Sequence, residues 1–175
     1  MSPSHLIDQL AATPRNVAHL VAEVDETRMG EPGPDGWPPR VIVAHLRDDE
    51  YLCMRAALES MLARENPELH FMEGGDWVAT RNTLRDRREQ LLADFALQRQ
   101  ATLSILGGLR PADWERRGHT RAGELTIAQL VERWAGHDAE HLAQLERAVG
   151  ETLAEVRQRR AEMAEREARR RAGTP

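Results

Sequence analysis

Apolar residues recur at helical spacing through four long stretches of this chain, and no stretch sustains the two-residue alternation of a half-buried strand. The spacing predicts a first helix over residues 6–28, with Leu6, Leu10, Val17, Leu20, Val21 and Val24 on its apolar side and Pro14 as a candidate kink. Residues 30–36 are a Gly/Pro loop by composition. Pro38 and Pro39 suit a first helical turn, opening a second helix over 39–63 with Val41, His45, Leu52, Ala56 and Met61 near one stripe. Asn66-Pro67 and Gly74-Gly75 mark 65–77 as a crossover loop. A third helix follows over 77–106, stopped by Gly107-Gly108. Residues 107–124, with Pro111, Gly118 and Gly123, read as another loop. Thr126 is an N-cap candidate for a fourth helix that ends near Val149 and is closed by Gly150. Helices of this length, about 36 Å each, joined by two longer connections, predict an all-α four-helix bundle with a long crossover over residues 1–150. Residues 151–175 differ, with seven Arg against five Glu and only Leu153, Val156 and Met163 to anchor them. They are expected to form a charged helical tail, either solvated or touching a dimer partner or an anionic ligand.

Charge and cysteine usage exclude several chemistries. All 24 basic residues are arginine. Without lysine there is no Schiff-base enzyme, no pyridoxal-phosphate anchor and no Walker-type phosphate loop. One cysteine, Cys53, allows no intrachain disulfide and no C-x-x-C pair, and reads as a buried small apolar residue. A net charge of −5 argues against nucleic acid as a partner. No apolar run reaches the ~20 residues of a membrane span. Residues 1–5 lack the basic-then-apolar layout of a signal peptide, which with the lone cysteine gives an expected cytoplasmic location.

The chemistry-bearing residues are histidines. Three of the seven stand out by position. His137 and His141 lie four apart on the fourth helix, so both rings share a face. That face also carries Leu130, Trp134 and Leu145, which turns the pair toward the bundle interior. His45 sits between Val41 and Leu52 on the second helix's apolar stripe. Three imidazoles converging in a bundle would form a nitrogen cage suited to Zn, Ni or Fe(II). Three protein ligands leave a position open, as catalytic metal sites do. Hydrogen-bonded core histidines account for the same spacing. His137 is followed by Asp138, so the H-E-x-x-H protease motif does not apply.

The segments Gly123-Glu124-Leu125-Thr126-Ile127 and Trp134-Ala135-Gly136-His137-Asp138-Ala139-Glu140-His141-Leu142-Ala143-Gln144 resemble the last helix of the DinB-like superfamily. Ile42-Val43-Ala44-His45-Leu46 resembles its second helix. The resemblance spans about residues 5–149, and HD-x-x-H-L-x-Q is its most specific part. It implies a four-helix bundle with a long crossover, often dimeric. It also implies a divalent metal held by three histidines, which fall on His45, His137 and His141. Several relatives transfer a low-molecular-weight thiol (bacillithiol, mycothiol or glutathione) to an electrophile or use it in isomerisation, and many others have no known activity. The resemblance therefore implies a metal-dependent thiol S-transferase acting on a small molecule. A hydrolase or isomerase at the same site, and a non-catalytic metal-binding or stress-response bundle, are the alternatives.

Further candidates surround this triad. Asp49, one turn after His45, is placed to orient a ligand or lies exposed in the acidic run 47–50. Gln144 is placed to fix a ring tautomer, contact substrate or bridge helices. Asp138 and Glu140 point toward helix neighbours or solvent. His119 precedes the fourth helix as a pocket gate or a surface residue. Trp77 and Arg81 open the third helix, with Arg81 matched to a thiol cosubstrate's carboxylate.

Overall fold

A computed structural model of the protein describes residues 3–71, 77 and 86–173. The chain folds as a four-helix bundle. Its first helix, α1 (Pro3–Val21), runs unbroken through Pro14 and stops short of the expected end at 28. The Asp25 side chain accepts from the Arg28 backbone N–H at 2.8 Å and starts a separate short helix, α2 (Glu26–Gly30). The second bundle helix comprises α3 (Pro39–Asp49), a π-helical turn (Glu50–Arg55) and α4 (Ala56–Ala63). The third is α5 (Arg88–Gly107) and the fourth α6 (Ile127–Val149). Both α1 and α3 pack against α5 and α6, so the first two bundle helices lie on one diagonal and the last two on the other. The long connection from α4 to α5 makes that order possible.

The π turn corrects the expected stripe of the second helix. Its i→i+5 bonding accommodates an extra residue, so the inward phase moves forward by one. Cys53, Ala57 and Met61 are buried, while Leu52 is 53% exposed and Ala56 is exposed. The expected loop 107–124 contains a single-turn 3₁₀ helix (Asp113–Glu115) and a hairpin of β1 (Arg117–Thr120) and β2 (Gly123–Thr126). Strands of four residues are too short to show a period.

The fourth helix has the caps its sequence calls for. Thr126 and Gln129 form a reciprocal capping box, and Gly150 closes α6 with φ 77°. The tail forms α7 (Leu153–Arg171), which packs on α1 through buried Val156, while Met163 is 57% exposed.

The core divides into two apolar halves. One gathers Leu6, Leu10, Leu58, Met61, Leu106, Leu130 and Trp134. The other gathers Val17, Leu20, Ile42, Leu46, Phe95, Leu145 and Ala148. At the level between them every bundle helix contributes a buried polar residue: Thr13, Glu50, Arg99 with Thr102, and Asp138. No helix among the described residues is long and apolar enough to cross a membrane.

Candidate metal centre

The apolar faces of α3 and α6 meet where His45, His137 and His141 project. One nitrogen from each ring can be chosen so that all three lie within 4.8 Å of one another. His45 Nε2 and His137 Nε2 are 3.1 Å apart. Two nitrogens on a tetrahedral zinc at ~2.0–2.1 Å would be separated by roughly 3.3 Å, so the spacing matches a shared cation. His45 is 4% exposed and the other two are half-buried. His141 Nδ1 is 2.7 Å from Gln144 Oε1. With Nδ1–H donating there, Nε2 is left as the ring's free ligand atom. The donor set of three convergent imidazoles fits a divalent ion.

Electrostatics keep His45 and His141 in the state a metal needs. Burial pushes the His45 imidazole down to about 3, and the neighbouring His141 and His137 add to this. His141 is also lowered, by burial and then by His137, against the opposing hydrogen bond it donates to Gln144 Oε1. Both are therefore neutral at pH 7. This gives a stability prediction for the metal-free protein. Below an ordinary histidine value near 6.5 the unfolded chain takes up protons that native His45 refuses until about pH 3. Native stability thus rises with pH across that window and falls on acidification, by up to about 1.4 kcal/mol per pH unit per such group. Glu50, whose carboxyl burial raises, opposes the trend at the acidic end, while His19, His45 and His141, all lowered, set its sign between pH 5 and 7.5. Urea unfolding in chelator should give a lower midpoint at pH 5 than at pH 7.5, and an unchanged or higher one would contradict the assignment.

Asp49 is 8% exposed, and its Oδ2 lies 3.6 Å from His137 Nε2. The expected exposed alternative is thus corrected, because the residue turns onto the site one turn after His45. Trp77 is buried and sets its ring edge-on to His45 at 5.1 Å. Arg81 lies outside the described residues. His119 sits on β1 with Asn66 and Glu124 as partners and is not among the three convergent histidines. Glu140 is exposed, whereas Asp138 is buried and faces α5.

Two features carry little local signal. Trp37 stacks on His141, with centroids 5.9 Å apart and planes 14° apart, and meets His45 edge-on at 5.3 Å. Its loop is pressed onto α6 at Gly33, where an added Cβ would fall 2.7 Å from Ala148 Cβ. Arg99 is 1% exposed and bridges Asp138 (Nη1–Oδ2, 2.6 Å) and Glu50 (Nη2–Oε2, 2.7 Å). The available signal was its place on the stripe Leu91, Phe95, Arg99, Thr102, Leu106, all buried. Burial alone would raise the Asp138 carboxyl, but Arg99 overrides it and holds it below the usual range.

The sequence model of the DinB superfamily matches residues 9–145. No curated protein matches the chain. Among solved structures, YfiT from Bacillus subtilis, described as a probable metal-dependent hydrolase with an unusual four-helix bundle topology, superposes with a TM-score of 0.73 at 19% identity, covering 87% of this chain and 91% of that one. At that identity the likeness speaks for the fold. The sequence match covers most of the bundle, and the chain belongs to the DinB superfamily.

Proposed function

We propose that this protein is a divalent-metal-dependent enzyme that transfers a low-molecular-weight thiol, of the bacillithiol, mycothiol or glutathione type, to a small electrophile. The observation that carries the reading is the buried Asp49 carboxylate beside three convergent imidazoles. His45, His137 and His141 would hold the ion, with Zn, Ni and Fe(II) all compatible with three nitrogens. A bound divalent ion supplies Lewis acidity and lowers the pKa of a thiol or water beside it.

The chain's own residues do the rest. Asp49 accepts the proton of the incoming S–H. The sulfur then forms a bond to the electrophilic carbon while the leaving group departs with its electron pair. Gln144 holds the His141 ring in one tautomer. Trp37 and Trp77, with centroids 6.2 Å apart, form an apolar wall that limits water beside His45. The nucleophile comes from outside, because the chain has no lysine and its one cysteine is buried.

Hydrolysis is the second reading. The same carboxylate can take a proton from water, and YfiT is described as a probable hydrolase. Assays of the metal-loaded protein with each thiol and a haloaromatic or epoxide, beside ester and amide substrates without thiol, separate the two. Thiol-dependent, metal-dependent turnover supports transfer, and thiol-independent cleavage supports hydrolysis. Stoichiometric metal with no turnover in any arm would leave a metal-binding bundle. In whichever reaction is found, Asp49→Asn should lower kcat by about 10²–10⁴-fold while metal content is retained.

A further inference from the structure

The polar layer between the two apolar halves exceeds what packing needs. Buried ion clusters of this kind are often replaceable by apolar residues without loss of stability. Here the layer adjoins the histidines. Asp138 Oδ1 lies 4.0 Å from His137 Nδ1. That nitrogen is buried and has no hydrogen-bond partner among the described residues. Asp138 has little freedom to turn elsewhere, since Arg99 Nη1 donates to its Oδ2 at 2.6 Å and Nη2 to its Oδ1 at 3.2 Å. Arg99 is fixed in turn by Glu50 Oε2 at 2.7 Å and by the Leu10 carbonyl at 2.8 Å. Thr102 donates to the other Glu50 oxygen at 2.6 Å. The guanidinium also lies over the Phe95 and Trp134 rings, at 5.1 and 5.5 Å, which closes the cluster from the apolar side.

From this arrangement we infer that Asp138 is a positioning residue for His137: its carboxylate, locked by the Arg99–Glu50 pair, receives the His137 Nδ1–H and aims Nε2 at the cation site. The inference rests on the metal-centre reading above. A 4.0 Å separation is longer than a formed hydrogen bond. A modest ring rotation shortens it, and such contacts are commonly long in empty sites and tighten on loading. A carboxylate behind a ligand histidine fixes its tautomer and raises its basicity. The charges agree in sign, because two carboxylates share one guanidinium and the excess negative charge faces the cation site.

The test compares wild type, Asp138→Asn and Glu50→Gln for zinc affinity by chelator competition and for urea stability. Glu50→Gln disturbs the same Arg99 cluster through its other carboxylate and keeps its hydrogen-bonding shape. Asp138→Asn should bind zinc about 10–100-fold more weakly, with Glu50→Gln within about threefold of wild type even where the two lose similar stability. Zinc affinity that falls in parallel in both variants, or stays unchanged in Asp138→Asn, overturns the inference and leaves the cluster purely structural. Should Asp138→Asn fail to fold, imidazole ¹⁵N–¹H correlation spectra of zinc-loaded wild type decide. The expected His137 signal is an exchange-protected Nδ1–H with Nε2 ligated, and ligation through Nδ1 refutes the assignment. Wild type that binds no zinc overturns the metal-centre reading and this inference together, whereas zinc-binding wild type with an unaffected Asp138→Asn overturns only the inference.

Discussion

His137→Ala protein should purify with no more than trace metal and lose turnover, while keeping the helical content and metal-free stability of wild type. His137 offers the Nε2 that stands 3.1 Å from His45 Nε2, so its removal leaves two imidazoles, one on α3 and one on α6. Loss of an outer-shell partner of a ligand already weakens metal binding about 10–100-fold, and loss of a ligand itself should exceed that. The ring is half-buried rather than sealed in the core, so truncation leaves a gap open to solvent and a small packing penalty. The decisive comparison is stability with and without metal. At a thousandfold excess over Kd a ligand that binds only the native state adds about 4 kcal/mol, which for a chain of this size is a rise in Tm of about 8–16 °C. Wild type should show that rise with Zn, Ni or Fe(II), and His137→Ala should show none. An equal rise in both would place the metal elsewhere.

Arg99→Met should be the most destabilising single substitution in the bundle. The guanidinium is 1% exposed and bonds Asp138, Glu50 and the Leu10 carbonyl, so its removal strands two buried carboxylates and a backbone acceptor. Breaking a buried ion pair from one side costs about 3–5 kcal/mol, equivalent to roughly 6–20 °C in Tm. The triple variant Arg99→Met, Glu50→Leu, Asp138→Leu should recover most of the loss, because removing all the charges together removes the desolvation penalty. Urea unfolding in chelator measures both. A loss under about 1 kcal/mol for Arg99→Met would mean that the cluster is solvated in solution. The triple variant should still bind metal weakly, since it recovers packing but lacks the carboxylate behind His137.

What could be read in the chain depended on how local the cause was. The fourth helix was legible to the residue at its start and at its closing glycine, because the Thr126 capping box and Gly150 act within one turn. The pairing of His137 with His141 was legible because a four-residue spacing fixes a shared face, whereas Gln144 had three readings until its contact with His141 Nδ1 chose among them. The first helix ended early because a cap at Asp25 competed with the apolar pattern beyond it. On the second helix Cys53 and Ala57 took the inward places expected of Leu52 and Ala56, while Met61 kept its own, because a π turn shifts the local phase and no composition marks such a turn. Asp49 was a candidate with two readings, and only its approach to His137 from another helix chose between them.

The sequence by itself therefore determined that the bundle is helical, the Thr126 start and Gly150 close of the fourth helix, and the three histidines on inward sides of two helices. Tertiary structure alone decided that the imidazoles of α3 and α6 meet at ligand distance, that Trp37 folds over them from the loop before α3, and that Arg99 ties Glu50 to Asp138 behind them. The physical reason is that helical periodicity fixes which side chains share a face. Which face they meet is set by the packing of all four helices at once, and the crossover that places α1 and α3 on a diagonal is a property of the whole chain.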